Sequence, residues 1–242
     1  MVEERLPALR DELDVDVCIV NGENVADGVG LTPKLAQKLL AAGADAITLG
    51  NHTWRRPELA MWIDTTDRVV RPANFSSAAP GRGLVVVPAR NGTPVAVVNV
   101  LGSLFLESWS HPFEVIDELV EEALRETPVI VVDVHAEATS EKVALAHWLD
   151  GRVTAVLGTH THVQTNDPRV LPKGTAALTD AGMTGPHDSV IGVKVEQAIQ
   201  RMRTGIPVRF ETAAGDVRLE GALVEFGADG RATRCETVRV HA

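Results

Sequence analysis

Val153-Thr154-Ala155-Val156-Leu157-Gly158-Thr159-His160-Thr161-His162, residues 153–162, is the stretch on which the reading of this chain turns. Residues 153–157 form a short apolar run closed by glycine, the length and composition of a buried strand feeding a loop. His160 and His162 stand two apart just beyond it. In an extended stretch, residues two apart point the same way, so both imidazoles are expected to face one cavity at the end of a sheet. Histidine is the commonest neutral nitrogen ligand for a transition metal. Alone, the pair reads more readily as two polar loop residues than as metal ligands; what it is depends on the rest of the chain.

The same layout recurs upstream. Val15–Val20 reads as a strand that delivers Asn21-Gly22-Glu23-Asn24. Ala46–Leu49 reads as a strand that delivers Gly50-Asn51-His52. The β-branched run Val129–Val134 suggests a strand covered on both faces, and it delivers His135. Four strands therefore bring Glu23, Asn24, Asn51, His52, His135, His160 and His162 to their ends, and in an open α/β sheet ligands gather at the carboxyl ends of strands. Singly, Glu23 could cap a turn, Asn24 could hold a left-handed loop residue and His135 could be a satisfied core histidine. Together they form a pattern far more specific than any one of them.

Between these strands the chain alternates with helices. Val2, Leu6, Leu9 and Leu13 make one apolar stripe along a helix at 2–13. Thr32-Pro33 opens a second helix, with threonine as N-cap and proline at the first helical position, running to Ala42 and stopping at Gly43. Further helices are expected at 57–63, 115–125, from Ser140 (read as a helix cap) to Asp150, and at 194–203. Val69–Phe75 reads as a strand, and Leu84–Val87 and Val95–Val100 as a hairpin across Asn91-Gly92. Thr175–Thr179 is a strand, and 207–240 reads as three more. This order predicts an α/β layered sandwich with mixed sheets. No Pro/Ser/Gly-rich linker divides it, so residues 1–242 are read as a single domain.

The chain has 242 residues, enough to bury a sizeable core. Its net charge of −10 argues against duplex nucleic acid or an anionic membrane as a general partner. A small phosphorylated substrate is still admissible, because a metal ion reverses the local field. Two cysteines, Cys18 and Cys235, make no disulfide framework, which points to a reduced, cytoplasmic setting. No segment is long and apolar enough to span a bilayer, and residues 1–5 lack the layout of a signal peptide.

A set of carboxylate, amide oxygen and imidazole donors suits manganese, iron or zinc. A carboxylate such as Glu23 can bridge two ions, and two ions about 3.5–4 Å apart can clamp a phosphoryl group and generate hydroxide between them. His52, directly after Asn51, is more naturally a proton donor to a leaving oxygen than a ligand. His111, His147, His187 and His241 fit no such position and read as structural or surface residues. Other chemistries fit less well: there is no Gly-x-Ser-x-Gly elbow and no phosphate-binding Gly-x-x-x-x-Gly-Lys loop, and Gly28-Val29-Gly30 lacks the strand and helix of a dinucleotide fingerprint.

Asn21-Gly22-Glu23-Asn24, Gly50-Asn51-His52-Thr53-Trp54, Arg71-Pro72-Ala73-Asn74-Phe75, Asp133 to Lys142 (Asp-Val-His-Ala-Glu-Ala-Thr-Ser-Glu-Lys), Gly158 to Thr165 and Thr179 to Pro186 together closely resemble the bacterial YmdB-like, calcineurin-type metallophosphoesterases across essentially the whole chain. That resemblance implies a four-layer α/β/β/α sandwich and a dinuclear centre of two iron or manganese ions. It also implies hydrolysis of small phosphodiesters, notably 2′,3′-cyclic nucleotides opened to leave a 3′-phosphate. Carried over, Glu23 resembles the bridging ligand, Asn51, His135 and His160 the ligands of one ion, Asn24 and His162 ligands on the side of the other, and His52 the general acid. A homo-oligomer is compatible with the sequence.

The family also opens with an apolar strand ending in Gly-Asp-x-x-Gly, whose aspartate is the first metal ligand. This chain begins at the following helix, so the expectation is that Met1 is an internal methionine of a longer protein and that the neighbour near Val17–Val20 lacks a strand partner. Two alternatives to the phosphodiesterase follow. One is a regulatory or binding protein of the same fold, metal-impaired for want of that aspartate. The other is a two-metal hydrolase of another bond, such as an amide.

Overall fold

Parallel pairing of short, nearly all-buried strands sets the architecture. In the computed structural model, which describes residues 1–242, the chain runs α1 (Val2–Glu12), β1 (Ile19–Asn21), α2 (Pro33–Ala41), β2 (Ala46–Thr48), α3 (Pro57–Trp62), β3 (Val69–Val70), β4 (Leu84–Pro88), β5 (Pro94–Leu101), α4 (Pro112–Leu124) and β6 (Ile130–His135). It continues with α5 (Thr139–Trp148), β7 (Ala155–Thr159), β8 (Arg169–Val170), β9 (Ala176–Leu178), β10 (Gly185–Asp188), α6 (Val195–Thr204), β11 (Gly215–Phe226) and β12 (Ala232–His241). It is a mixed α/β protein with three sheets. The first is parallel, in the order β1-β2-β3, with β1 at its edge; the second is six-stranded, β4-β5-β6-β7-β9-β8; the third is antiparallel, β10-β11-β12.

Side-chain alternation assigns each face of the six-stranded sheet. Ala96, Val98 and Val100 of β5 and Ile130, Val132 and Val134 of β6 point one way, into a cluster with Ile116, Val120 and Ala123 of α4, Leu145 and Ala146 of α5 and Leu149 at its C-cap. The intervening residues point the other way. Val97 joins Val85, Val87, Ala46 and Val70, so the first sheet packs on this second face. Ala155 and Ala176 meet Ala232, which seats the β11–β12 hairpin beside it. The outer face of the first sheet is covered in turn by α2 and α3, through Ala36, Leu39, Ile47, Leu49 and Leu59. Burying each valine, leucine or isoleucine side chain among these is worth about 1.5–3 kcal/mol.

Asn99, Asp133, His135 and Thr159 share the parity of the inner face, so polar groups line the seam between the two sheets near their rim. Asp133 joins them across it: its Oδ2 accepts from Thr48 Oγ1 of β2 at 2.5 Å and from Asn21 Nδ2 of β1 at 3.0 Å.

Several expectations from the sequence change. Residues 15–18 and 71–75 lie outside strands, leaving β1 and β3 shorter than their apolar runs. Ser140 is not a cap: α5 begins at Thr139 with Ala138 as N-cap and no capping side chain. Helix α4 starts at Pro112, earlier than its apolar stripe, because His111 and Glu114 form a capping box. The tail holds two long strands, not three; their third partner is Gly185–Asp188, a glycine-proline stretch with no strand signal. No helix is long and apolar enough to cross a membrane.

Candidate metal centre

Two turns and two strand ends build the site. Glu23 lies in the turn leaving β1 and is 1% exposed. Asn51 and His52 lie in the turn leaving β2, where Thr53 Oγ1 closes the backbone by donating to the Gly50 carbonyl at 2.6 Å. His135 is the last residue of β6, and His160 and His162 follow β7. Strand ends from two sheets therefore meet at one rim.

Donor atoms converge on His135 Nε2. Glu23 Oε2 lies 3.0 Å from it, Asn51 Oδ1 3.1 Å and His160 Nδ1 3.1 Å. The ligand atoms of Glu23, His135 and His160 all fall within 4.8 Å of one another. The groups behind them fix the tautomers. Thr159 Oγ1 donates to Asp133 Oδ1 at 2.7 Å, so it accepts from His135 Nδ1–H at 2.9 Å, which leaves Nε2 as a bare lone pair. His160 Nε2 lies 3.0 Å from Glu137 Oε2 and donates there, which leaves Nδ1 bare. Two imidazole lone pairs, a carboxylate and an amide oxygen then face one another, an arrangement that is repulsive unless a cation or a proton stands among them.

A second group adjoins the first. Asn24 Oδ1 is 2.8 Å from His52 Nδ1, and Asn24 Nδ2 is 3.1 Å from His162 Nε2 and 3.4 Å from Glu23 Oε2. The other nitrogen of His162, Nδ1, is buried with no partner. That orphaned atom, the converging lone pairs and the absence of thiolate all fit a cation held by oxygen and imidazole. The backbone leaves room for nothing else: a Cβ on Gly50 would collide with His135 Nε2 and lie 2.5 Å from Glu23 Oε1.

The electrostatics agree with the geometry. Burial pushes the Glu23 carboxyl up, but the charge and hydrogen bond of a proton standing between it and His135 Nε2, in the place a cation would take, and the His52 N–H, 2.7 Å from Oε1, outweigh it and hold the carboxyl at about 2. Burial holds His52 below its ordinary value even though Glu23 draws it up. His160 is lowered by burial and by the charge of His135. Burial raises Asp133 despite its three donors and His135.

All seven residues singled out from the sequence come to this rim at or just beyond the ends of strands, as expected, but His160 and His162 do not do so by sharing one face of an extended stretch. Residues 160–162 are not extended. His160 has φ +95° and His162 φ +63°, both left-handed, and the two rings serve different halves of the site. His111, His147, His187 and His241 lie apart; His111 caps α4, and His187 and His241 face Glu220 and Asp216 at 3.2 and 3.3 Å. Missed were Asp133, Thr159 and Glu137, which orient the histidines. Asp133 carried a signal: a charge within a continuous β-branched run needs a buried partner. Its register neighbour Asn99 is the matching polar break in β5. A separate hollow of about 530 Å³, lined by Trp148, Arg152, Lys173 and Arg231 among others, includes none of the donor residues.

Comparison with known proteins places these features among relatives. A family profile described as YmdB-like protein matches residues 1–238. The 2′,3′-cyclic-nucleotide 2′-phosphodiesterase of Bacillus subtilis (strain 168) is 50% identical over 226 residues, covering 93% of this chain and 85% of that protein. A crystal structure of a hypothetical protein from Thermus thermophilus superposes with a TM-score of 0.92 at 42% identity, covering 99% of this chain and 92% of that one. The crystal structure of a novel phosphatase from Mycoplasma pneumoniae superposes with a TM-score of 0.89 at 36% identity, covering 99% and 87%.

Proposed function

This chain belongs to the YmdB-like protein family, and from that premise we propose that it is a metal-dependent hydrolase of phosphodiester bonds acting on 2′,3′-cyclic nucleotides. The observation that carries the reading is the convergence of Glu23, Asn51 and His160 donor atoms on the bare Nε2 of His135. The 2′,3′-cyclic-nucleotide phosphodiesterase name of the Bacillus relative supplies the substrate class. The proposed architecture is a single calcineurin-type domain over residues 1–242, a four-layer sandwich with α2 and α3 outside one sheet and α4 and α5 outside the other. The proposed setting is the cytoplasm.

Asn51, His135 and His160 would hold one ion of iron or manganese, Asn24 and His162 would lie on the side of the second, and Glu23 would bridge. Two such ions would supply positive charge to the phosphoryl oxygens and a water of lowered pKa. The protein residues do the rest. Glu23, ionised at neutral pH, balances the cations. Thr159 and Glu137 hold His135 and His160 in the tautomers that present a lone pair. Asn24 Oδ1 accepts His52 Nδ1–H, which leaves His52 Nε2 free to exchange a proton. Opening a 2′,3′-cyclic phosphate breaks the P–O2′ bond, and O2′ then needs a proton. His52 donates it and recovers one from solvent. A depressed pKa makes its imidazolium the stronger acid for that transfer.

The direct test is to load the protein with Mn²⁺, supply 2′,3′-cyclic AMP and separate the products. The expected product is the 3′-phosphate. A 2′-phosphate, or cleavage of a peptide with the cyclic nucleotide left intact, would contradict the reading.

A further inference from the structure

Lys142 and Asp180 belong to none of the donor groups, yet both side chains are buried, 3% and 0% exposed, with Lys142 Nζ 2.8 Å from Asp180 Oδ2. Removing two charges from water is costly, and such a pair is weak evidence of a stabilising device. What it touches is more telling. Asp180 Oδ2 accepts from the Thr161 backbone N–H at 3.1 Å and from Thr161 Oγ1 at 2.6 Å. Lys142 Nζ donates to Thr161 Oγ1 at 3.3 Å. Asp180 Oδ1 accepts from Gly182 N at 2.8 Å, and the Asp180 backbone exchanges hydrogen bonds with Thr165. The pair thus grips Thr161, the residue between the two histidines, and anchors it to the loop after β9.

That grip answers a backbone problem. His160 and His162 are both left-handed, a conformation that a residue with a Cβ holds only where its surroundings impose it. The histidines' own contacts hold their rings, whereas the Thr161 hydroxyl between them is held by Asp180 and Lys142. Gly158 admits the clamp: a Cβ there would lie 2.8 Å from Lys142 Cδ and would collide with the Thr179 carbonyl. We propose that Lys142 and Asp180 are positioning residues that clamp Thr161 through its side-chain hydroxyl and thereby hold the His160 and His162 rings in the two halves of the donor set before any metal arrives. The proposal rests on the reading of those histidines as metal ligands.

The test is Mn²⁺ affinity of the purified, metal-stripped protein by competition with a fluorescent chelator, with the melting temperature measured beside it. Single loss of Lys142 or Asp180 leaves a buried charge unpaired and is liable to unfold the chain, so Thr161→Val is the primary variant and Thr161→Ser its conservative control. Thr161→Val is expected to weaken Mn²⁺ binding by about 10–100-fold, the usual cost of losing an outer-shell partner, with far-UV circular dichroism unchanged. Thr161→Ser restores the affinity. In a His162→Ala background, Thr161→Val costs distinctly less than in the parent, because part of what it positions is gone. Parental affinity in Thr161→Val, beside clear losses in His160→Ala and His162→Ala, would overturn the clamp alone. Parental affinity in His160→Ala and His162→Ala would overturn the ligand reading and the clamp with it.

Discussion

Burying a carboxylate costs free energy unless hydrogen bonds and opposite charge replace its lost water, and at Glu23 both are supplied by groups from other strands. The His52 N–H and the His135 ring come from 29 and 112 positions downstream, so the Glu23 carboxylate is made stable by the fold and not by its own turn. His52 is different in kind. Its ring meets Asn24 Oδ1 and stands 3.9 Å from Glu23 Oε1, but it does not meet His135 Nε2, where the lone pairs converge. The expected consequence of His52→Ala is unchanged metal content with turnover slowed by about 10²–10⁴-fold, read from steady-state kinetics on the cyclic nucleotide. Unchanged turnover on that substrate, whose leaving group is a poor one, would remove the general-acid role.

At the scale of elements, what could be read from the sequence follows the strength of its local signals. Thr32-Pro33 caps α2 as expected, Thr32 Oγ1 accepting from Leu35 N at 3.3 Å, and Gly205 ends α6 in a left-handed cap. The β4–β5 hairpin and the parallel β6 and β7 were likewise legible from apolar runs and turn residues. What was not legible depends on partners far along the chain. Gly185–Asp188 becomes a strand only because β11 offers it an edge. The left-handed backbone at His160 and His162 has no signature in Thr159-His160-Thr161-His162 itself. Asp133 is the extreme case, since its partners Thr48, Asn21 and Thr159 lie on three different strands or turns. Asp133→Ala strands those buried donors and unpins the two sheets. The expected loss of stability is about 3 kcal/mol, measured by urea unfolding. A loss within about 0.5 kcal/mol, the range of surface substitutions, would show that the pin is not needed.

For the whole molecule, the site's half-buried imidazoles tie stability to pH. His52 and His160 titrate below 6.5 when folded, chiefly because burial disfavours the charged ring, and near 6.5 when unfolded. The unfolded chain therefore takes up protons first, so their contribution is complete above pH 6.5 and is lost as the pH falls below it. The metal-free protein should melt at a lower temperature at about pH 5.5 than at about pH 7.5, and a His52→Ala/His160→Ala variant should show a shallower dependence; a flat profile in the parent would contradict this. A chain that gathers oxygen and imidazole donors from four strands at one rim fits the proposal that the site holds a cation. The measurement that tests this most directly is elemental analysis of the folded protein and its Glu23→Ala variant after saturation with Mn²⁺ and removal of the excess. Two ions per chain in the parent and a clear loss in the variant are predicted. A parent that takes up no metal, or a folded Glu23→Ala that keeps both ions, would contradict the account.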